Sequence, residues 1–230
     1  MKKKIAELAA QIQVPYVEDG HLMQAVVHRS YLNEHPDFPL EHNERLEFLG
    51  DAVLELVVTE YLFAHYQNPE GELTNWRAAL VNGQNLAKIG RTLGIEDYLY
   101  LSKGEAKDTN SKARNYILAN AMEALIGATY LDSGWDAAKE FVTRVVIGTL
   151  PEILEKKLYI DPKSRFQEES QSRMSVTPSY KVLEESGPDH NKVFRIGVYL
   201  GKDLVAEGAG SSKQEAQVDA AANALEARGW

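Results

Sequence analysis

The hydrophobic period of this chain changes once, and that change limits what it can fold into. Up to about Leu158, apolar residues recur at intervals of three and four, as in "LEFLGDAVLELVVTEYLFAHY" and "ILANAMEALIGATYLDSGWDAAKEFVTRVV". That spacing places them on one side of a helix. Turn-forming stretches such as "QNPEG" and "LGIED" separate the helices. Beyond "EKKLYIDPKS" the period falls to two. In "VFRIGVYL", Phe194, Ile196, Val198 and Leu200 point one way, the pattern of a half-buried strand. "YKVLEES" and "DLVAEGA" read as two further strands, and "GKD" at 201–203 as a tight turn. A helix over about 164–173 precedes the strands and another over about 212–227 follows them. The spacing therefore predicts an all-α domain over 1–155, a linker over 156–162, and a small α+β domain of order α-β-β-β-α over 163–230.

Composition removes several classes of function. Without cysteine there is neither a disulfide framework nor a thiolate zinc site, which fits a reducing compartment. The start, "MKKKIAELAAQIQ", lacks the apolar run of a signal peptide, and no segment is long and apolar enough to span a bilayer. The expectation is a cytoplasmic protein with no membrane partner. The net charge of −9 lowers the expectation of a nucleic-acid partner. A local basic patch can still act within a negative total, and carboxylates gathered around a cation would push the total the same way.

One helix carries such carboxylates. In "HNERLEFLGDAVLELVV", at about 100° per residue, Glu47 sits about 60° from Glu44 and Asp51 about 20° from it. Leu46, Leu49, Val53, Leu54, Leu56 and Val57 cover most of the remaining surface, the pattern of a buried helix. Buried carboxylates need compensation, and Arg45, the nearby base, points about 100° from Glu44. A second helix, "ILANAMEALIGA", is apolar except for Asn120 and Glu123, neighbours three apart. Brought together, Glu47, Asp51, Asn120 and Glu123 make an oxygen-only donor set suited to Mg²⁺ or Mn²⁺ rather than zinc. Carboxylates three apart on a helix are also common as solvated groups, and spacing and composition leave both readings open.

The same residues carry a resemblance. "NERLEFLGDAVL" at 43–54 looks like the signature helix of bacterial ribonuclease III, and "ILANAMEALIGATYLDSG" at 117–134 resembles that family's second catalytic stretch. "HRSY" at 28–31 and "EGELTNWRAALVNGQNLA" at 70–87 are also similar. The tail, with "GPDH" at 187–190 and "GAGSSKQEA" at 208–216, resembles a double-stranded RNA-binding domain. The resemblance runs through nearly the whole chain in the family's order. It implies an endoribonuclease that cuts both strands of duplex RNA with Mg²⁺, Mn²⁺ substituting, in the processing of rRNA and mRNA. It implies catalytic roles for Glu47, Asp51 and Glu123, and a metal held by these three with Asn120. Glu44 and Glu70 match accessory acidic positions. The products would have 5′-phosphate and 3′-hydroxyl ends with short 3′ overhangs. The family works as a homodimer, and Phe48 matches the residue that plugs into the partner subunit, although spacing alone favours core packing for it. His28, a lone histidine in a helical segment, reads as a hydrogen-bonded structural residue.

By the same resemblance, Gln167, Glu168 and Gln171 would face the minor groove of duplex RNA, with Pro188 and His190 in the first strand loop and Lys213 at the last helix. Such domains recognise duplex shape through 2′-hydroxyls and phosphates. The family commonly has two or three consecutive bases where this chain has "SSKQEA". Ser212 and Glu215 have capping-box spacing, which gives Glu215 a local role. Lys103, Lys107, Lys112 and Arg114 would add phosphate contacts or form a solvated loop. Asn120 stands where the family usually has aspartate. It keeps a second reading open: a duplex-RNA-binding protein that does not cleave, with Asn120 natural or introduced.

Overall fold

The computed structural model describes residues 2–18, 20–107, 111–188 and 192–230, with side chains from residue 5 onward. They form two compact units, 1–159 and 160–230. The first is helical: α1 (Lys2–Ile12), α2 (Leu22–Ala25), α3 (Arg29–Glu34), α4 (Glu44–His65), α5 (Glu70–Val81), α6 (Gly83–Thr92), α7 (Lys103–Lys107), α8 (Lys112–Val145) and α9 (Leu150–Glu155). Its core gathers Leu8, Ile12, Leu22, Leu54, Leu62, Leu80, Leu86, Ile95, Leu118, Met122 and Phe141, all fully buried.

α4 and α8 form the centre of this unit and cross where neither has a side chain. A Cβ on Gly50 would lie 1.7 Å from the carbonyl oxygen of Glu123, and one on Gly127 would lie 2.3 Å from that of Leu46. The two backbones meet at these glycines, so side chains flanking them share one space. α8 then bends at Gly134, whose φ of 83° lies in the region that favours glycine. The start of α4 is pinned to the segment before α3. Asn43, 3% exposed, donates its backbone N–H to the Val27 carbonyl at 2.9 Å and its side-chain amide to the Ala25 carbonyl at 3.1 Å. Gln24 donates to the His42 carbonyl at 3.1 Å.

The expectation that α4 is buried all round is corrected. Leu46, Gly50, Val53, Leu54, Val57, Val58 and Leu62 are buried, but Phe48 is 82% exposed, Leu56 57% and Phe63 79%. The helix has two apolar faces, and only one is covered within the chain. At the far end of the unit, Trp76 meets Tyr66 and Tyr159 edge-on, with ring centroids 5.1 and 6.0 Å away.

The second unit contains α10 (Pro162–Met174), β1 (Pro178–Ser186), β2 (Val193–Leu200), β3 (Asp203–Gly210) and α11 (Lys213–Arg228). This is the α-β-β-β-α order, following a helical domain, that the change of period indicates. The sheet is antiparallel, in the order β1-β2-β3. Phe194, Ile196, Val198 and Leu200 are buried, as their alternation requires. Val198 and Leu200 pack with Phe166 of α10 and with Ala220, Ala221 and Ala224 of α11. The alanine face lets α11 approach closely: a Cβ on Gly208 would lie 2.1 Å from the Ala220 nitrogen. β1 begins two residues earlier than its sequence pattern suggested and breaks register between Val182 and Glu184. α10 starts at Pro162 because Asp161 caps it, accepting from the Ser164 N–H at 3.1 Å.

Candidate active site and RNA-binding face

The glycine crossing brings the two polar patches together. Asn120 donates a side-chain hydrogen bond to the Glu47 carboxylate. Burial raises the Glu47 pKa, the Glu44 charge raises it further, the Asn120 amide opposes the rise, and Asp51 adds to it. Glu123 is pushed up to about 7, first by burial and then by the charges of Asp51 and Glu47. No basic side chain figures among the influences on either group. Glu47, Asn120 and Glu123 are half-buried, while Asp51 is exposed and opens the cluster to solvent.

The donor set therefore fits a divalent cation. It consists of hard oxygens that repel one another, at a partly dry position, and among the described residues no base figures in the charges that act on Glu47 and Glu123. Among the described residues, no three histidine, aspartate or glutamate side chains are drawn together closely enough to hold an ion as they stand.

The neighbouring acidic residues have different surroundings. Glu44 lies 3.4 Å from the Arg29 guanidinium and 3.7 Å from His42 Nδ1. The base closest to it is thus Arg29, from outside the helix, rather than Arg45. Glu70 is not part of the cluster within one chain. It begins α5, accepts from the Thr74 hydroxyl at 2.9 Å, and borders a groove of about 710 Å³ shared with Leu62, Phe63, Tyr66 and Arg77. Phe63 stands twelve residues beyond Asp51 on α4, about 18 Å along the axis. His28 caps α3: its Nδ1 lies 2.8 Å from the Ser30 hydroxyl and 3.3 Å from the Ser30 nitrogen. Burial lowers its pKa.

In the second unit, Gln167, Glu168 and Gln171 are exposed on α10, opposite the buried Phe166 and Ser170. Lys213 is exposed at the start of α11, with its ammonium 5.6 Å from the Phe194 ring centre. Pro188 is described, whereas His190 lies outside the described residues. The capping box is displaced by one residue. Ser212 accepts from the Glu215 N–H at 3.1 Å, but the Glu215 carboxylate turns back to the Ser211 N–H at 2.7 Å. In the first unit, Arg114 is neither of the two things expected of it, a phosphate ligand or part of a solvated loop, but a buried residue of α8. It is 6% exposed and donates to Glu96 at 3.1 Å.

Residues 18–150 match the family described as Ribonuclease-III-like, and residues 162–227 match the double-stranded RNA binding motif. Ribonuclease 3 of Natranaerobius thermophilus is 43% identical over 220 residues, covering 95% of this chain and 94% of that protein. Ribonuclease 3 of Carboxydothermus hydrogenoformans is 45% identical over 207 residues, covering 89% of this chain and 87% of that one. The chain belongs to the ribonuclease III family. It is an endoribonuclease with a double-stranded RNA-binding motif at its C-terminal end. Among solved structures, the ribonuclease III nuclease domain of Campylobacter jejuni matches with TM-score 0.56 and 38% identity, covering 64% of this chain and 99% of that one. That nuclease domain shows structural flexibility in a region involved in dimer formation. No helix among the described residues is long and apolar enough to cross a membrane.

Two features of this ribonuclease III chain escape a reading by helical spacing. Gly50 and Gly127 are silent in a hydrophobic pattern, although "LGD" and "IGA" mark their places. Arg29 is placed beside Glu44 by hydrogen bonds of Asn43 and Gln24 to other segments, which no local period reveals. The "HRSY" stretch was the signal available for it.

Proposed function

We propose that the chain hydrolyses double-stranded RNA as a Mg²⁺-dependent endonuclease, with Glu47, Asp51 and Glu123 as its catalytic groups. The observation that carries this reading is the carboxylate cluster at the Gly50–Gly127 crossing, electrostatically coupled and without a basic partner. Glu47, Asp51 and Glu123, with the Asn120 amide oxygen, would hold the ion. When bound, Mg²⁺ or Mn²⁺ would activate a water and offset charge on the scissile phosphate. The protein's share is to hold the carboxylates on two rigid helices and keep Asp51 open to the substrate. Attack in line with the leaving 3′ oxygen gives a 5′ phosphate and a 3′ hydroxyl.

The second unit supplies duplex affinity through Gln167, Glu168, Gln171, His190 and Lys213, with the division of labour falling near residues 156–162. Cutting both strands with short 3′ overhangs needs two sites, hence a homodimer. The exposed stripe of α4 supports one. Phe48, Ala52, Leu56 and Phe63 fall within about 80° on the helix. A two-fold axis near Leu56 would set Phe48 against Phe63 of a second copy, at the groove that Glu70 borders. Glu70 would then approach the second copy's cluster, and Glu44 and Glu70 would act as accessory acids. A cytoplasmic role in rRNA and mRNA processing fits this activity.

The second reading, a binding protein that does not cleave, rests on Asn120, which brings one negative charge fewer. The deciding experiment is incubation with long duplex RNA and Mg²⁺, read on a gel with end-group analysis. Discrete short duplexes support the nuclease, and retarded but intact RNA supports the binder.

A further inference from the structure

Glu44 and Arg29 form an ion pair at the lip of the carboxylate cluster, and folding gives it little reason to exist. Arg29 is 67% exposed at its side chain and Glu44 46%, and such pairs contribute little to stability. Glu44 is nevertheless the only ion-pair partner of Arg29 among the described residues. His42 closes the other side of the same carboxylate at 3.7 Å, with its Nδ1 buried and without a hydrogen-bond partner. The arrangement is held firmly from behind. Asn43 bonds to Ala25 and Val27, Gln24 bonds to His42, and the His28 N–H donates to the Tyr100 carbonyl at 3.1 Å. Arg29, the next residue, therefore has a fixed origin. Glu44 also acts on the charge of Glu47, so the guanidinium stands one carboxylate away from the reacting centre.

We propose that Arg29 binds a phosphate of the RNA strand next to the scissile one, and that Glu44 is a positioning residue for Arg29 rather than a metal ligand. This rests on the nuclease reading above. The chemistry favours it. A guanidinium offers a planar fork to phosphate oxygens, and holding it in place beforehand reduces the ordering it must undergo on binding. A cluster of carboxylates repels the substrate backbone, and one exposed cation at its edge turns the strand toward it. The Arg29–Glu44 bond is solvated and weak, so exchange for a phosphate is easy.

The test uses the full chain with Arg29→Ala, Arg29→Lys and Glu44→Gln. Cleavage of one duplex is followed as a function of RNA and of Mg²⁺, and metal-free duplex binding as a function of salt. Arg29→Ala should raise KM by about five- to tenfold while kcat, the half-saturating Mg²⁺ and the unfolding temperature stay nearly unchanged. Its plot of log affinity against log salt should flatten by about one unit, the signature of one lost phosphate contact. Arg29→Lys should restore the slope but only part of the affinity. Glu44→Gln should raise KM less than Arg29→Ala and leave the Mg²⁺ requirement alone. An unchanged salt slope in Arg29→Ala, or a higher Mg²⁺ requirement in Glu44→Gln, overturns the proposal. So does a fall in unfolding temperature that accounts for the lost binding. If the unaltered chain binds duplex without cutting it, the nuclease reading fails and the salt slope still decides Arg29. If it binds no duplex, both fall.

Discussion

Asn120 gives Glu47 a hydrogen bond that an aspartate could not give in the absence of a cation. Exchanging the two should therefore have opposite effects with and without metal. Asn120→Asp adds a charge that draws a divalent ion more strongly, so half-maximal cleavage should need less Mg²⁺. In chelator the same change sets another carboxylate against Glu47 and Glu123 and should lower the unfolding temperature. An unchanged Mg²⁺ titration would remove Asn120 from the metal site. Glu123 gives the site a pH dependence of definite sign. Its pKa rises from 4.5 to about 7 on folding, so the folded chain holds that proton more tightly than the unfolded chain. The advantage is full below about 4.5 and is lost as pH rises through about 7. Metal-free protein should unfold at a lower temperature at pH 8 than at pH 6, and Glu123→Gln should narrow that difference. The same Glu123→Gln should abolish cleavage while leaving duplex binding nearly intact if, as proposed, the second unit supplies the duplex affinity.

At the scale of the elements, the α4–α8 crossing sets the site, and two glycines in adjoining helices separate its role from general helix preference. Gly50→Ala places a methyl group against the Glu123 carbonyl and should cost about 3 kcal/mol, with loss of cleavage, because the backbones must part. Gly71→Ala in α5 meets nothing within 4 Å and should stabilise by about 0.5–1 kcal/mol in the same denaturant titration. Equal losses would show that the crossing is more compliant than its contacts suggest. α4, α8 and the three strands were legible because long elements repeat their period many times. α2, α3 and α7, of four to six residues, have no period to read. The facing of Glu47, Asp51, Asn120 and Glu123 was legible for a related reason: the members of each pair are three or four residues apart and so are neighbours on one face of their own helix. The exposure of Phe48 and Leu56 was not, because helical spacing marks a residue as apolar without saying whether its cover comes from the same chain. Nor was the burial of Arg114, which depends on Glu96 from another segment.

For the whole molecule, the uncovered stripe of α4 and the aromatic contact at Tyr159 make separate predictions. Phe48→Glu should shift sedimentation toward a monomer and reduce cleavage, with little change in the helical content of the chain. A fragment of residues 1–159 should be dimeric and cut duplex weakly, and only at low salt, because the phosphate contacts proposed for the second unit are gone. A monomeric fragment would sink the dimer assignment. Ending the fragment at 155 should lower its unfolding temperature, since Tyr159 is then missing from Trp76. That contact also bears on reach. Tyr159 packs on the nuclease unit and Asp161 already caps α10, so Ile160 alone stands between two anchored residues. An extended residue spans about 3.5 Å. The tether between the two folded units is thus one residue long, a length set by the chain itself whatever orientation the units take.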